Sequence, residues 1–277
     1  MSQLDAVLQR GHALWLDYTR YAGDLLAGGR IPWLDATGYV AWQRKAQGLL
    51  KSDVLSLDVQ QVVLAWLAAH GALREAMAAK RRAVYPLKTL LADEALRAHL
   101  QELAAGLRAS FAQTPLALVC PTPRLWLLQA YRLAHGDEAQ TEIGEDEIDS
   151  ASLYLADFLR AFGESGLDVL LLGETADSEP APPAVLALYQ SALNVAAHYR
   201  WRCALLSPGG RCEDAEGIDL QIAPQPAAKG PAGLLLAADF WDGAPPPACP
   251  PGGLRYVEIP AGAQPEAVLQ RLATLRG

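Results

Sequence analysis

The chain has 277 residues and a formal net charge of −8, with 51% hydrophobic and 19% charged residues. This composition excludes a disordered protein and provides a large core that needs neither disulfides nor a metal to fold. The acidic balance also excludes a nucleic-acid-binding protein, because that function leaves a basic footprint that this sequence lacks.

Cysteine usage and hydropathy predict the compartment. The four cysteines are scattered without a C-x-x-C pair, which is typical of free thiols in a reducing cytoplasm. Asp5, Arg10 and Asp17 interrupt the first apolar residues, unlike a signal peptide, and no apolar stretch is long enough to span a membrane. We therefore expect a cytoplasmic protein with no membrane partner. Its apolar richness favours a homo-oligomer or a complex with a partner subunit.

Helical periodicity dominates residues 1–112. One amphipathic helix is predicted from the first apolar residues to the Gly28–Gly29 pair, a suitable C-cap. Its apolar positions are Leu4, Val7, Leu8, Ala13, Leu14 and Leu16. The same periodicity predicts further helices around residues 62–67 and 87–107.

Short apolar runs between turn residues replace this pattern from residue 115 onward. They cover residues 116–120, 169–172, 203–206, 218–222, 234–238 and 254–259. Such runs are typical of parallel strands buried on both faces. Helical segments at 124–134, 147–164 and 183–198 separate the earlier ones. Weaker strand candidates at 31–36 and 54–59 bring the total to eight, the number of a closed barrel.

The sequence therefore predicts one α/β domain, a degenerate (β/α)8 TIM-type barrel over residues 1–277. Residues 1–112 would be its extended, mostly helical part, and residues 113–277 its strand-rich part. An open doubly wound sheet fits most of the pattern, but no Gly-rich phosphate loop follows any strand. The connections at 224–233 and 242–253 are too rich in proline and glycine for full crossover helices.

The segment from about residue 115 to 210 carries a resemblance. Its successive parts read "LALVCPTPRLWLL", "GEDEIDSASLYLADFLRAFGESGLDVLLLGE" and "YQSALNVAAHYRWRCALL". This order resembles the superfamily of uroporphyrinogen decarboxylase and cobalamin-independent methionine synthase. The resemblance implies a barrel in which a strand of the type G-x-D-x-ψ-x-ψ-x-E, here the end of the second segment, carries a terminal acid, Glu174, that faces the active site.

Two further features of those families bear on cofactors. Uroporphyrinogen decarboxylases use an Arg-rich N-terminal segment to hold substrate carboxylates, and "TRYAGD" at residues 19–24 matches it only in Arg20. Methionine synthases bind zinc with a His-x-Cys pair and a distant cysteine, whereas His198 and Cys203 are five residues apart. The zinc ligand pattern is therefore incomplete, and the sequence assigns no cofactor.

The carboxyl ends of barrel strands carry the reacting groups in this architecture. That rule nominates Asp35, Asp58, Cys120, Thr122, Arg124, Glu174, Asp239, Asp242 and Glu258. We predict catalytic roles for Glu174, Asp239 and Asp35, and substrate-binding roles for Arg124, Thr122 and Trp241. The alternatives are a loop carboxylate for Glu174, a turn residue for Asp239, a helix N-cap for Asp35 and inert packing for Cys120.

The hypothesis that follows is a small-molecule group-transfer enzyme, methyltransferase-like, of this superfamily. One alternative is a non-catalytic barrel that binds a small molecule or serves as an accessory subunit. Another is a metal-free decarboxylase, which needs an arginine cluster that Arg20, Arg30 and Arg124 would have to supply.

Overall fold

Eight parallel strands build a nearly closed (β/α)8 barrel in the computed structural model, which describes residues 2–213, 216–225 and 231–276. The strands are β1 Ala13–Asp17, β2 Leu55–Asp58, β3 Leu116–Pro121, β4 Val169–Gly173, β5 Arg202–Leu206, β6 Leu220–Ala223, β7 Ala232–Leu235 and β8 Leu254–Glu258. Their order around the barrel is β1-β8-β7-β6-β5-β4-β3-β2. The predicted fold class is confirmed.

Helices cover the outside of the strands. They are α1 Gln3–Leu8, α2 Thr19–Ala27, α3 Ala36–Leu50, α4 Val59–Ala69, α5 Gly71–Met77, α6 Val84–Leu91, α7 Glu94–Ser110, α8 Pro123–His135, α9 Glu145–Arg160, α10 Pro183–Ala187, α11 Gln190–His198 and α12 Pro265–Arg276, with a 3₁₀ helix at Ala238–Phe240. In the described residues between β5 and β8 there is no α-helix. This agrees with the predicted short connections, although residues 226–230 of the first lie outside the described part.

The barrel closes between β1 and β2 without a strand ladder. The backbone N–H of Asp53 donates to the Leu14 carbonyl at 2.8 Å, and the Asp53 carboxylate accepts from the Leu14 N–H at 2.8 Å. The Ser52 hydroxyl accepts from the Leu16 N–H at 2.9 Å. Side chains thus satisfy the backbone groups that a ladder would otherwise pair.

Strand side chains alternate between two separate hydrophobic cores. The core under the helices receives Leu14, Leu16, Leu55, Leu57, Leu118, Cys120, Leu170 and Leu172. The barrel interior receives Ala13, Trp15, Ala117, Val169, Leu171, Ala204, Ile222 and Tyr256. Because both faces are buried, the strands read as continuous apolar runs.

The prediction of a single helix from residue 4 to the double glycine is wrong. The chain instead forms α1, then β1, then α2. Gly11 adopts a φ of +77°, which ends the first helical segment and which a residue with a side chain rarely adopts. The predicted C-cap is confirmed, because Gly28 caps α2 in the left-handed conformation.

The predicted strand at 31–36 is also wrong, since residues 31–35 are a loop and Asp35 occupies the N-cap position of α3. Asp35 is therefore not at a strand end, and the N-cap alternative describes its position. The other seven predicted strands match β2–β8 within a few residues. The predicted helix at 183–198 is divided into α10 and α11.

Paired charges close the amino-terminal end of the barrel. Arg202 donates to both carboxylate oxygens of Asp5, at 2.8 and 3.0 Å, and to Asp219 at 2.9 Å. These residues line an open depression of about 760 Å³. Its position at the end opposite to where barrel enzymes hold their reacting groups, and its neutralised charges, indicate a stabilising role.

Candidate functional site

Three carboxylates face the interior at the carboxyl ends of neighbouring strands. Asp17 ends β1, Asp58 ends β2 and Glu258 ends β8. Asp17 and Glu258 each lie two residues beyond an interior-core side chain, Trp15 and Tyr256 respectively, so strand alternation directs them inward. We call Asp17, Asp58 and Glu258 the mouth carboxylates.

Asp58 is held in place as the N-cap of α4. Its Oδ1 accepts a hydrogen bond from the Gln61 N–H at 3.1 Å. Burial raises the pKa of the Asp58 carboxyl to about 7, and the charge of Asp17 raises it further against the lowering effect of the Gln61 and Gln60 N–H groups. A carboxyl that titrates near neutral pH can both accept and donate a proton.

Asp17 and Glu258 lie side by side, because their Cα positions are paired in the β1–β8 ladder. Burial raises the pKa of Asp17, although the Thr19 N–H at 3.2 Å and the charge of Arg20 oppose this. Burial and then the charge of Asp17 raise the pKa of Glu258. The three mouth carboxylates therefore titrate as a coupled group.

Tyr256 lies beneath the mouth carboxylates. Its side chain is 5% exposed and its ring packs at 5.7 Å from that of Trp15. Burial raises the pKa of its hydroxyl far above the usual value, with further increases from Asp17, Asp58 and Glu258. No hydrogen bond joins this hydroxyl to any of the described residues. The hydroxyl thus stays protonated and forms no hydrogen bond with the described residues.

An open depression of about 500 Å³ adjoins the mouth. Its lining residues are Thr19, Arg20, Gly23, Asp24, Gly29, Ile31, Trp33, Gln61 and Ala261. Thr19 and Gln61 are the residues whose backbone N–H groups bind Asp17 and Asp58, so the depression begins where the carboxylates are held. Its volume suits a small molecule.

The sequence-predicted residues Glu174, Thr122 and Arg124 do come together, but on the outer face of the barrel. Glu174 Oε1 accepts from the Thr122 hydroxyl at 2.8 Å and from Arg124 Nη2 at 3.3 Å. Thr122 also caps α8, its hydroxyl accepting the Leu125 N–H at 3.3 Å. The Glu174 side chain is 2% exposed and its Oε2 is buried without a partner among the described residues. We call these three residues the outer cluster.

Tyr189 covers the outer cluster. Burial raises the pKa of its hydroxyl to about 12, and Thr122 and the Arg124 backbone lower it. Arg124 extends past Glu174 and donates to the Glu179 carbonyl at 3.2 Å. The cluster thereby joins the loop after β4 to the start of α8.

Two other predicted residues lie on the β7 and β8 side of the mouth. Asp239 is exposed in the 3₁₀ helix, where its carbonyl accepts the Asp242 N–H at 3.0 Å, as the turn alternative requires. Trp241 donates its indole N–H to the Glu258 carbonyl at 3.0 Å. Trp241 therefore contacts the main chain of Glu258 while its ring packs against the core under the helices, whereas Asp35 is exposed at the start of α3.

The described residues do not fit a zinc centre of the kind that methionine synthases contain. No group of three or more His, Cys, Asp or Glu side chains among them is arranged to hold a metal ion. Cys203 lies near the amino-terminal end of β5, and Cys120 belongs to the core under the helices. Burial raises the pKa of both thiols, with added effects of Asp219 on Cys203 and of Asp58 on Cys120.

Sequence reasoning missed Asp17 altogether and left Asp58 and Glu258 among its unselected strand-end residues. The loss of Asp17 follows from the strand β1 being interpreted as helix. The signal that could have found it is Gly11 followed by the apolar run "ALWL" and an acid.

No helix in the described part of the chain is long and apolar enough to cross a membrane.

The chain matches no model of a protein family and no curated protein. Among solved structures, a methyltransferase from Methanosarcina mazei is similar with a TM-score of 0.61 and 11% identity, over 99% of this chain and 97% of that chain. A structural-study protein from Aquifex aeolicus VF5 has a TM-score of 0.47 and 12% identity, over 99% and 95%. The first likeness shows a fold shared over the full length, and the second is too weak to support an argument.

Proposed function

We propose that this protein is a small-molecule group-transfer enzyme, methyltransferase-like, whose reaction takes place at the mouth carboxylates. The observation that carries the proposal is the convergence of Asp17, Asp58 and Glu258 at the carboxyl ends of three neighbouring strands. Reacting groups occupy that end in enzymes of this fold. The resemblance to the superfamily of uroporphyrinogen decarboxylase and methionine synthase, and the fold shared with a methyltransferase, support methyl transfer as the reaction.

Asp58 is the proposed general base. Its carboxylate takes the proton of the acceptor heteroatom while that atom's lone pair bonds to the methyl carbon. The bond from the methyl carbon to the donor breaks, and its electron pair stays with the donor, which we take to be a methyl-onium compound that leaves neutral. A carboxyl with a pKa of about 7 is available in its basic form at neutral pH.

The outer cluster has a positioning role in this proposal. Glu174 and Arg124 hold each other and the loop after β4, so Arg124 is not free to bind a substrate carboxylate. The decarboxylase alternative needs several free arginines around the site, and the one whose charge reaches the mouth carboxylates is Arg20. Group transfer therefore has the better support.

The test is a transfer assay with isotopically labelled methyl groups. Sulfonium and quaternary ammonium donors would be screened against amine, thiol and hydroxyl acceptors, with labelled product identified by mass spectrometry. With the donor and acceptor that give labelled product, Asp58→Asn should lower kcat/KM by about 10²–10⁴-fold, the usual loss of a general base. Asparagine also serves as an N-cap, so the helix should persist.

Asp93→Asn is the matched control. Asp93 is likewise a helix N-cap, with its Oδ1 accepting the Leu96 N–H at 2.7 Å, but it begins α7 in the helical layer. Its activity should equal that of the unmodified protein. Equal rates for Asp58→Asn and Asp93→Asn, or the absence of transfer from every donor, would refute the proposal.

A further inference from the structure

We infer that the acceptor bound at the mouth carboxylates is the primary or secondary amine of a small molecule, which binds in its protonated form and gives one proton to Asp58 before its nitrogen attacks the methyl carbon. This inference rests on the proposed function, which it extends by naming a substrate class. It is carried by the charge of the mouth, by the unpartnered Tyr256 hydroxyl and by the adjoining depression, and each supports it separately.

The mouth carboxylates lack an ion-pair partner. Asp17 and Asp58 are partly exposed and Glu258 is exposed, and none of the three forms a salt bridge with a described Lys, Arg or His, whereas the buried Glu174 does so. The charge of Arg20 acts on Asp17 and Glu258 but leaves the pKa of both raised. An ammonium group between these carboxylates would supply the missing positive charge.

Hydrogen bonding distinguishes an ammonium from other cations. Glu258 accepts no side-chain hydrogen bond within the described residues, and Asp17 uses only Oδ1. Tyr256, 5% exposed, lies two residues before Glu258 on the same face of β8, and its hydroxyl forms no hydrogen bond with the described residues. A primary ammonium can donate to three such acceptors and a secondary ammonium to two, whereas a quaternary ammonium has no N–H to donate.

The depression provides room for the rest of the molecule. Ile31 and Trp33 give it an apolar wall, and its volume is about 500 Å³. Trp33 places an aromatic ring in this wall, and such a ring attracts an organic cation by cation–π interaction.

Binding of four probes of similar size tests the inference without turnover. Butylammonium, butanol, butyrate and tetramethylammonium would be titrated by calorimetry at pH 8, above the pKa of about 7 of Asp58. Butylammonium should bind best. Glu258→Gln and Asp17→Asn should each weaken it by at least about tenfold, the loss expected for one charge-assisted hydrogen bond. Tyr256→Phe should weaken it by a smaller factor.

Glu266→Gln is the control, because it removes the same charge from an exposed side chain in the first turn of α12. It should leave the affinity unchanged. Equal affinity for butyrate or butanol, equal affinity for tetramethylammonium, or no effect of Glu258→Gln and Asp17→Asn would each overturn the inference. Amine binding without methyl transfer would refute the proposed function alone. Methyl transfer to a thiol or hydroxyl without amine binding would refute only the inference.

Discussion

Asp58 and Glu174 both follow apolar strands of one barrel, and they face opposite sides of it. Glu174 points to the helices, 2% exposed, with Thr122 and Arg124 on its Oε1. Asp58 points to the interior, where burial and the charge of Asp17 raise its pKa to about 7. The charge of Glu174 is balanced by Arg124, whereas Asp58 lies near a second acid, Asp17.

Side chains of a strand alternate between its two faces. This difference shows that the face on which a strand-end carboxylate lies decides its role. A buried ion pair that is complete holds structure in place, and its energy is lost when one partner is removed. Acids that lack a cation are less stable as charged groups, and such groups are characteristic of sites that bind or transfer protons. The outer cluster and the mouth carboxylates should therefore respond in opposite ways to substitution.

The largest expected effect is at the outer cluster. Arg124→Ala leaves the Glu174 carboxylate buried with only the Thr122 hydroxyl, so we expect the free energy of unfolding to fall by about 3 kcal/mol. Urea denaturation followed by circular dichroism would measure it. If the cluster were as loosely held as a surface ion pair, the loss would be below about 1 kcal/mol, and the contrast with the mouth would disappear.

Arg132→Ala is the matched control for this measurement. Arg132 is on the same helix, α8, but it is exposed and forms no salt bridge among the described residues. We expect a change within about 0.5 kcal/mol, as for most surface substitutions. The double variant Glu174→Gln with Arg124→Ala should recover part of the stability, because it removes the uncompensated charge.

Substitution of a mouth carboxylate should change the free energy of unfolding in the opposite direction. The pKa of Asp58 is raised from 3.8 to about 7 in the folded protein, so folding favours its protonated form. Its contribution to stability is complete at acidic pH and is lost as the pH rises toward 7. Asp58→Asn should therefore stabilise the protein at pH 8 by about 1–2 kcal/mol, after solvent screening at this partly exposed site, and the gain should disappear near pH 4.

Thermal unfolding of both proteins between pH 4 and pH 8 would establish this trend. Asp93→Asn again serves as the comparison, since Asp93 is a helix N-cap outside the mouth. The gain at pH 8 should be specific to Asp58→Asn and absent from Asp93→Asn. A destabilised Asp58→Asn protein at pH 8 would show that Asp58 is held like Glu174, by favourable partners rather than by an unfavourable neighbour.

The sequence was sufficient to predict the barrel because buried parallel strands leave a strong apolar signature. Seven of the eight strands could be found this way, but Ala13–Asp17 could not. Its apolar residues continue the spacing of α1, so periodicity favoured one long helix, and Gly11 was the only break in the pattern. The missing strand carried Asp17, and the mouth carboxylates could not be recognised as a group without it.

The selection of Glu174 over Asp58 and Glu258 has a different physical reason. In a strand buried on both faces the hydrophobic pattern is continuous, and it does not reveal which side chains point inward. Glu174 follows the run "VLLLG" directly, and one residue of register places it outside the lumen. Glu174, Thr122 and Arg124 were each nominated as strand-end residues, whereas neither their mutual contacts nor the side of the barrel on which these form was predicted.

The smallest expected change in the free energy of unfolding is that of Tyr256→Phe, which tests whether the Tyr256 hydroxyl has a hydrogen-bond partner within the protein. The Tyr256 hydroxyl has no partner among the described residues, so Tyr256→Phe should change the free energy of unfolding by less than about 0.5 kcal/mol. Tyr18→Phe is the matched comparison, because the Tyr18 hydroxyl donates to Gln43 Oε1 at 2.8 Å within the protein. Its loss should cost about 1–2 kcal/mol, since a buried acceptor is left unsatisfied. Equal losses in the two variants would mean that Tyr256 is already held by the protein, and a ligand would then have no hydroxyl to engage.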